Sequence, residues 1–239
     1  MRQSERVYQT LRQEIVDWRL EPGTMLGEAE LSKRLNVSRT PIREALRRLE
    51  RDNLVTIIAG RGARVAEISM TSVAQLFQIR EALETYAARL AARHGDLETF
   101  QTLLADMSAA CQELDRDQPP PDAYASYTKL IDRFDAAVDE ATDNTYLQEA
   151  LSNLHAHLAR LRQLARRNPA RMRLAAEEHV AICRAICERD EARAAEATAT
   201  HIHNSLRTIL NTFIQDVTGS TLLSVPPRQA DGSDPSEAS

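Results

Sequence analysis

The sequence predicts a mainly α-helical protein with a small amino-terminal domain, which contains one β-hairpin, and a larger carboxy-terminal bundle of helices. Residues 1–66 carry 13 Lys and Arg against 9 Asp and Glu, whereas residues 67–239 carry 17 against 26. Only one glycine, Gly95, falls between residues 63 and 218. A stretch so poor in glycine and so rich in Ala, Leu, Glu and Arg is typical of helices. We therefore expect a basic head that favours polyanions, joined to an acidic helical body.

The head begins with an amphipathic helix predicted over residues 5–18, which a Pro-Gly turn follows. Its apolar stripe consists of Val7, Leu11, Ile15 and Trp18. Two shorter helices follow within residues 28–55, separated by a tight break. Ser38 stands where an N-cap belongs, and its hydroxyl can accept a free backbone N–H.

The second of these short helices has one buried stripe and several basic faces. Pro41 falls in its first turn, where a missing N–H costs little. The stripe repeats at i, i+3, i+4 and i+7 and consists of Ile42, Ala45, Leu46 and Leu49. This is the pattern of a helix-turn-helix whose second helix enters a DNA major groove.

Basic side chains near the start of that helix are placed to read bases. Arg39 and Arg43 are one turn apart, and an arginine can bond guanine O6 and N7 at once. Thr40 can touch a base or a phosphate. The alternative is a surface helix with solvated arginines. Turn, cap, stripe and charge agree with one another and favour DNA recognition.

A hairpin is predicted directly after the basic helix. Two short β-branched runs, residues 55–58 and 63–65, flank Gly60-Arg61-Gly62, with glycine where a positive φ is needed. Arg61 at the tip is placed for a minor-groove or phosphate contact. The hairpin completes a winged helix-turn-helix domain, to which we assign residues 1–66.

The body is predicted as an antiparallel all-helical bundle over residues 73–217, after a linker at residues 67–72. Its six predicted helices are Thr71–His94, Asp96–Asp117, Asp122–Ala141, Asn144–Arg167, Pro169–Arg189 and Asp190–Val217. Asp96 and Asn144 are candidate N-caps. Residues 218–239 are rich in Ser, Pro and Asp and predict a disordered tail.

Other features limit the compartment and the class of protein. No stretch approaches the roughly 20 apolar residues of a membrane span, and charged residues run through the first turns, unlike a signal peptide. The three cysteines are odd in number and lack a CxxC pair, which fits a reducing cytoplasm. We expect a cytoplasmic protein that does not associate with membranes.

Histidines and arginines in the body form patterns of their own. His155 and His157 are two residues apart on one helix and so face different ways, as do His201 and His203. A basic run between residues 160 and 173 predicts a solvated face or a contact with the acidic body.

The head resembles the DNA-binding domain of the GntR family of bacterial transcription regulators. The shared motifs are the Pro-Gly turn, the Glu-Leu start of the first short helix, the SRTPIREAL core and the Gly-x-Gly wing. The resemblance implies DNA contacts from Ser38, Arg39, Thr40, Arg43, Gly60, Arg61 and Gly62. A base-contacting arginine that some members carry just before the Glu-Leu start is replaced here by Ala29.

The body resembles the FCD effector-binding domain of the FadR subgroup. The resemblance is carried by LFQIREALETYAARLAA at 76–92, FDAAVDEATDN at 134–144 and EEHVAICRAICERDEARAAEATATHI at 177–202. Six helices are more similar to its VanR-type branch than to the seven-helix acyl-CoA sensor. The resemblance implies a homodimer that binds a palindromic DNA operator, as a repressor, and that responds to a small carboxylate in the bundle.

Many FCD domains hold a divalent metal through one Asp and three His, and the metal receives the carboxylate effector. The resemblance places His179 and His201 at two of the histidines, Ile131 at the aspartate and Asp135 at the third histidine. Asp135, His179 and His201 could hold a zinc- or nickel-type ion with water completing its shell. Alternatively, both histidines are hydrogen-bonded residues that line a metal-free pocket for an anionic effector.

Arg80 matches a family arginine in the first bundle helix. It could bind an effector carboxylate in bidentate fashion, or it could form a structural ion pair with Glu84 at i+4. Two other classes stay open: an architectural DNA-binding protein without a ligand, and a metalloenzyme built on the bundle. The sequence shows no nucleophile–base pair, so we expect a regulator rather than an enzyme.

Overall fold

The computed structural model describes residues 2–165 and 169–222. In this part of the chain, nine helices and three short strands follow one another. They are α1 Gln3–Val16, β1 Met25–Leu26, α2 Glu28–Leu35, α3 Arg39–Arg51, β2 Val55–Ile58, β3 Gly62–Val65, α4 Met70–His94, α5 Leu97–Leu114, α6 Ala123–Ala141, α7 Thr145–Ala165, α8 Pro169–Cys187 and α9 Glu191–Leu222.

The head is the predicted winged helix-turn-helix. Its three strands form an antiparallel sheet in the order β1-β3-β2, with Val55 opposite Val65 and Ile58 opposite Gly62. The β1 strand was not predicted, because two residues are too few to show an alternating pattern. The predicted stripe of α3 is buried against α1, so the opposite faces of α3 are left for solvent or DNA.

The break between α2 and α3 has a different cap from the one predicted. Asn36 takes a left-handed conformation with φ of 52° and ends α2. Ser38 is the extended N-cap residue of α3, but its side chain makes no capping hydrogen bond, so that predicted contact is wrong. Instead, the hydroxyl of Ser32 donates to the carbonyl oxygen of Val37 at 2.6 Å and holds the break from the α2 side.

The body is the predicted helical bundle, with α4 packed on α9 and α8 packed between α5 and α9. Asp96 caps α5 by accepting from the Thr99 amide, and Asn144 caps α7 in the same way, as predicted. The last helix continues to Leu222, five residues beyond its predicted end. Residues 223–239 of the predicted tail lie outside the described residues. None of the helices described is long and apolar enough to cross a membrane.

The α7 helix joins the two domains. The indole Nε1 of Trp18 donates to the carbonyl oxygen of Arg160 at 3.1 Å, and Arg160 Nη2 donates to the carbonyl oxygen of Ala66 at 2.6 Å. His157 Nε2 lies 2.9 Å from the carbonyl oxygen of Asp52. Trp18 was predicted in the apolar stripe of the first helix. That assignment is wrong, because α1 ends at Val16 and Trp18 packs against the bundle core.

Candidate DNA-binding surface and bundle cavity

The candidate DNA-binding surface is a groove of about 550 Å³ between α3 and the wing. Five predicted contact residues line it: Arg39, Arg43, Gly60, Arg61 and Gly62. The other two, Ser38 and Thr40, are exposed at the start of α3. The fold therefore gathers the predicted residues on one surface that is rich in arginine.

An exposed ion pair within this groove orients Arg43. Its Nε lies 2.9 Å from Oε1 and 2.8 Å from Oε2 of Glu28, at the start of α2. Exposed ion pairs contribute about 1 kcal/mol or less, so a phosphate or a guanine can replace the carboxylate at little cost. The pair therefore orients the Arg43 side chain at the groove and is weak enough to be exchanged for a contact to DNA.

One glycine of the wing, Gly62, allows β3 to lie close against β1. Gly62 has φ of 103°, and a Cβ built on it would lie 2.2 Å from the carbonyl oxygen of Leu26 in β1. Gly60 also has a positive φ, 73°, but a Cβ there would meet no atom within 4 Å. The Arg61 amide donates to the carbonyl oxygen of Ile58 at 3.0 Å and closes the turn. Arg61 itself is exposed at the tip.

The bundle holds a cavity with two compartments. Arg80, His179 and His201 line both of them. The larger compartment has a volume of about 70 Å³ and is otherwise lined mainly by apolar side chains from α4, α6, α7, α8 and α9. The smaller has a volume of about 30 Å³ and is more acidic, because Asp135 lines it together with Glu84 and Asp139. All four predicted effector residues therefore meet at this cavity.

A buried polar network holds the two histidines. His179 Nδ1 lies 2.8 Å from the Tyr127 hydroxyl oxygen and 2.7 Å from the carbonyl oxygen of Ala175. His201 Nδ1 lies 2.7 Å from Oε2 of Glu178, and the centroids of the two imidazole rings are 4.5 Å apart. His179 is thus held by Tyr127 and by the backbone of α8, and His201 is held by Glu178.

Glu178 is the centre of that network. Its Oε2 also accepts from Arg171 Nη2 at 2.8 Å, and its Oε1 accepts from Asn204 Nδ2 at 2.7 Å. Arg171 Nη2 also donates to the Ser205 hydroxyl at 2.7 Å. A buried carboxylate is stable only with such partners, so the network ties α8 firmly to α9.

Sequence reasoning missed Glu178 as a site residue, although it stands beside His179 in the EEHV motif. It also missed Tyr127. For the basic run, Arg171 fits the predicted contact with the acidic body, because it pairs with Glu178. Arg160 fits neither alternative, because it is 3% exposed and donates to the carbonyl oxygen of Ala66.

Arg80 combines the two roles that the sequence left open. Its Nε donates to both carboxylate oxygens of Glu84 at 3.0 and 3.1 Å, so the i+4 ion pair is present. The same side chain is 7% exposed and lines both compartments of the cavity. The pair therefore holds a guanidinium at the wall where an anion would bind.

The acidic compartment carries an unusual carboxyl group. Burial raises the pKa of Asp139 to about 6, with further contributions from Asp135 and Glu84, while His155 opposes the rise. His155 Nδ1 lies 3.5 Å from Asp139 Oδ2. His155 thus faces the cavity whereas His157 faces the head, as the spacing of the two histidines predicts.

Among the residues that the structure describes, no group of three or more His, Cys, Asp or Glu side chains could hold a metal ion. Asp135, His179 and His201 line the same compartment without forming such a group. Buried Ile131 places hydrocarbon on the wall where the family's aspartate would stand. Burial raises the pKa of Cys183 to about 12, which fits a thiol of the core.

Comparison with known proteins finds a family match for each of the two domains. Residues 3–65 match the gntR family of bacterial regulatory proteins, and residues 75–204 match the FCD domain. The chain is 29% identical over 199 residues to the HTH-type transcriptional repressor RspR of Escherichia coli K12, covering 83% of this chain and 85% of RspR. It is 30% identical over 208 residues to BphR, an uncharacterized HTH-type transcriptional regulator of Paraburkholderia xenovorans LB400, covering 86% and 84%.

A solved structure of the same fold is E. coli McbR/YncC, with a TM-score of 0.72 and 21% identity. That match covers 89% of this chain and 99% of the McbR chain. Both domains and their order are therefore accounted for by one family, whose members regulate transcription and are not enzymes. The chain belongs to the GntR family of bacterial transcription regulators and carries an FCD domain behind its DNA-binding head.

Proposed function

We propose that the protein is a homodimeric, cytoplasmic repressor that binds a palindromic operator and releases it when a small carboxylate enters the bundle. Two heads would read half-sites about one DNA turn apart. One small head contacts few bases, which favours a symmetric dimer. The six bundle helices of the described chain favour the VanR-type branch of the FadR subgroup. The relative RspR is a transcriptional repressor, which supports repression as the sign of regulation.

The observation that carries this proposal is the position of α7. Leu158 and Leu161 line the larger compartment. On the same helix, His157 and Arg160 bond to main-chain oxygens of the head, at Asp52 and Ala66. A ligand that shifts α7 by a fraction of an ångström would therefore alter the placement of the head. Such a shift changes DNA affinity only if the ligand prefers one of the two placements.

The chemistry of the cavity favours a small carboxylate bound directly by the protein. Arg80 can donate to it in bidentate fashion, and the imidazoles of His179 and His201 can add hydrogen bonds. A metal is not part of this proposal, because residues 2–165 and 169–222 include no group of side chains that could hold one. The volumes of the two compartments suit a small organic acid rather than an acyl-CoA.

The test begins with DNA selected by the purified protein from a random pool. We expect an inverted repeat in the bound fragments, and a thermal-shift screen of small organic acids should identify one that weakens binding to that repeat. Arg80→Gln should lose the response to the acid while it keeps DNA binding. Selected DNA without an inverted repeat would contradict the dimeric reading.

The architectural alternative makes a different prediction for the same screen. A ligand-independent protein would show no thermal shift with any acid, and its DNA binding would not depend on metabolites. The buried Arg80 and Glu178 networks argue against it, because charged groups in a bundle core are costly and are retained where they serve a site. Elemental analysis of the purified protein tests the metalloprotein reading separately.

A further inference from the structure

A second cavity lies between the head and the bundle. It is separate from the two-compartment cavity of the bundle, which we call the effector cavity. It is a groove of about 560 Å³, which we call the junction groove. Its walls come from the turn after α3, the recognition helix, and from β2, the linker, α4 and α7. The lining includes Asn53 and Thr56 from the head, Ile79 from α4 and Arg160 from α7.

Arg160 is the unusual member of that lining. It is 3% exposed, and it forms no ion pair within the part of the chain that the structure describes. Nη2 donates to the carbonyl oxygen of Ala66, but Nε has no hydrogen-bond partner among the described residues. Burial alone lowers the pKa of Arg160 to about 10, and no carboxylate opposes that effect. A buried guanidinium without a counter-ion costs free energy that an anion would recover.

The other lining residues define what such an anion would carry. Apolar side chains from the linker, α4 and α7 surround the arginine, and they include Ile68, Val73, Leu76 and Leu161. Hydroxyl and amide groups of Thr56, Ser72 and Gln75 line the same groove, as do the carboxylate of Glu67 and the imidazole of His157. A charged head group on a short hydrocarbon body would match both sets, as in most small-molecule sites.

We propose that the junction groove is a second ligand site, in which Arg160 binds a small organic anion with an apolar body. The effector cavity and this groove share Leu161 as a wall residue but are lined by different arginines. Because the groove is bounded by both domains, its ligand would fix the placement of the head directly. The site is additional to the proposed effector cavity and does not depend on it.

The only tryptophan of the chain gives a local readout, because Trp18 Nε1 donates to the carbonyl oxygen of Arg160. The probes are hexanoate and hexyl phosphate at constant ionic strength, with hexanol as the uncharged control. We expect a saturable change in tryptophan fluorescence with one or both anions, with a dissociation constant of about 1 mM or lower, and none with hexanol. The stronger of the two responses identifies the head group as carboxylate or phosphate.

Variants separate this site from the effector cavity. Arg160→Gln should lose the response by at least tenfold, whereas Arg80→Gln, which alters only the effector cavity, should keep it. Thr56→Glu places a negative charge on an exposed wall of the groove and should also abolish binding, while the neutral Thr56→Gln should not. The Thr56 pair keeps the test valid if Arg160→Gln does not fold.

Three results would overturn the proposal. These are the absence of a saturable response to both anions in the unaltered protein, an unchanged response in Arg160→Gln, or equal responses in the two Thr56 variants. Loss of the response in Arg80→Gln but not in the groove variants would place the anion in the effector cavity instead. That outcome would leave the proposed function standing and remove the second site.

Discussion

His157 Nε2 in α7 lies 2.9 Å from the carbonyl oxygen of Asp52, the residue that ends the recognition helix. A bundle helix thus touches the last turn of the helix that reads DNA. Tyr8 reinforces the contact from α1, because its hydroxyl donates to Asp52 Oδ2 at 2.7 Å. The recognition helix is held at its end by both domains, and its first turn is left exposed.

This contact should weaken in acid. Burial lowers the pKa of His157, and the charge of Arg160 adds to that effect, while the Asp52 carbonyl opposes it. A lowered pKa means that His157 binds protons more readily when the head and the bundle are apart. The contact between the two domains is therefore stable above about pH 6.5 and weakens as the pH falls below it. Tryptophan fluorescence between pH 8 and pH 5 should follow this change, since Trp18 lies at the same junction.

The matched variant for the pH experiment is His157→Gln, whose side-chain amide can still donate to the Asp52 carbonyl but does not titrate. Its fluorescence should be independent of pH over this range. An identical transition in both proteins would assign the titration to another group, such as Asp139, whose pKa of about 6 lies in the same range.

Arg39→Ala with Arg43→Ala should abolish sequence-specific DNA binding while the protein stays folded. Each bidentate contact to guanine contributes about 1–3 kcal/mol of discrimination, so each loss should reduce the specificity ratio by roughly tenfold. Both side chains are exposed, which leaves the core intact. Protection of a selected DNA site measures the effect, and Arg133→Ala, in an exposed bundle ion pair, is the control. Unchanged protection by the double variant would disprove the assignment of α3.

Gly62→Ala should unfold the wing. The new Cβ would overlap the carbonyl oxygen of Leu26 at 2.2 Å, and φ is positive, so we expect the head to lose about 2–3 kcal/mol. Gly60→Ala has the strain of a positive φ without the overlap and should cost about 1 kcal/mol. Urea denaturation distinguishes the two variants, and equal losses would show that Gly62 does not hold the wing against β1.

Glu178→Gln should destabilise the bundle by about 3–5 kcal/mol, because it leaves the buried Arg171 guanidinium without its carboxylate. Glu177→Gln changes the exposed neighbour on the same helix turn and should have almost no effect. Chemical denaturation compares the two. If both variants lose the same stability, the network around Glu178 has no structural role beyond that of a surface acid.

Asp139→Asn should stabilise the protein at neutral pH. The raised pKa of about 6 means that the folded state holds a proton which the unfolded state, near 3.8, has released. The stability that Asp139 contributes is therefore greatest below about pH 4 and is lost as the pH rises through about 6. The neutral amide should restore about 1 kcal/mol at pH 7.5 and almost nothing at about pH 3, below both pKa values, after allowance for solvent screening. Exposed Glu140→Gln is the control, and a gain that does not depend on pH would contradict this account.

The head was predictable almost residue by residue because its pattern is local. Helix stripes, the turn and the glycine-rich hairpin each lie within a few residues of sequence, so α3 and the wing follow from periodicity and turn chemistry. The hydroxyl of Ser38 is the exception, since it caps no backbone N–H of α3, and the side-chain bond at the break runs from Ser32 to Val37.

The cavity and the junction were less predictable because they depend on residues far apart in the chain. Trp18 and Arg160 are 142 residues apart, and no local pattern shows that they meet. Glu178 was hidden for a related reason: its partners Arg171, His201 and Asn204 reach it from two helices. A buried charge is recognisable only once its counter-ions are known.

The two faces of α7 also limit how this regulator can diverge or be re-engineered. Leu158 and Leu161 line the larger compartment of the bundle cavity, and His157 and Arg160, beside and between them, contact the head. Substitutions of Leu158 or Leu161 that change which ligand is preferred would therefore also disturb the contacts that hold the DNA-binding head. Chimaeric biosensors that graft another bundle onto this head will therefore need the head-facing half of α7 carried over with it.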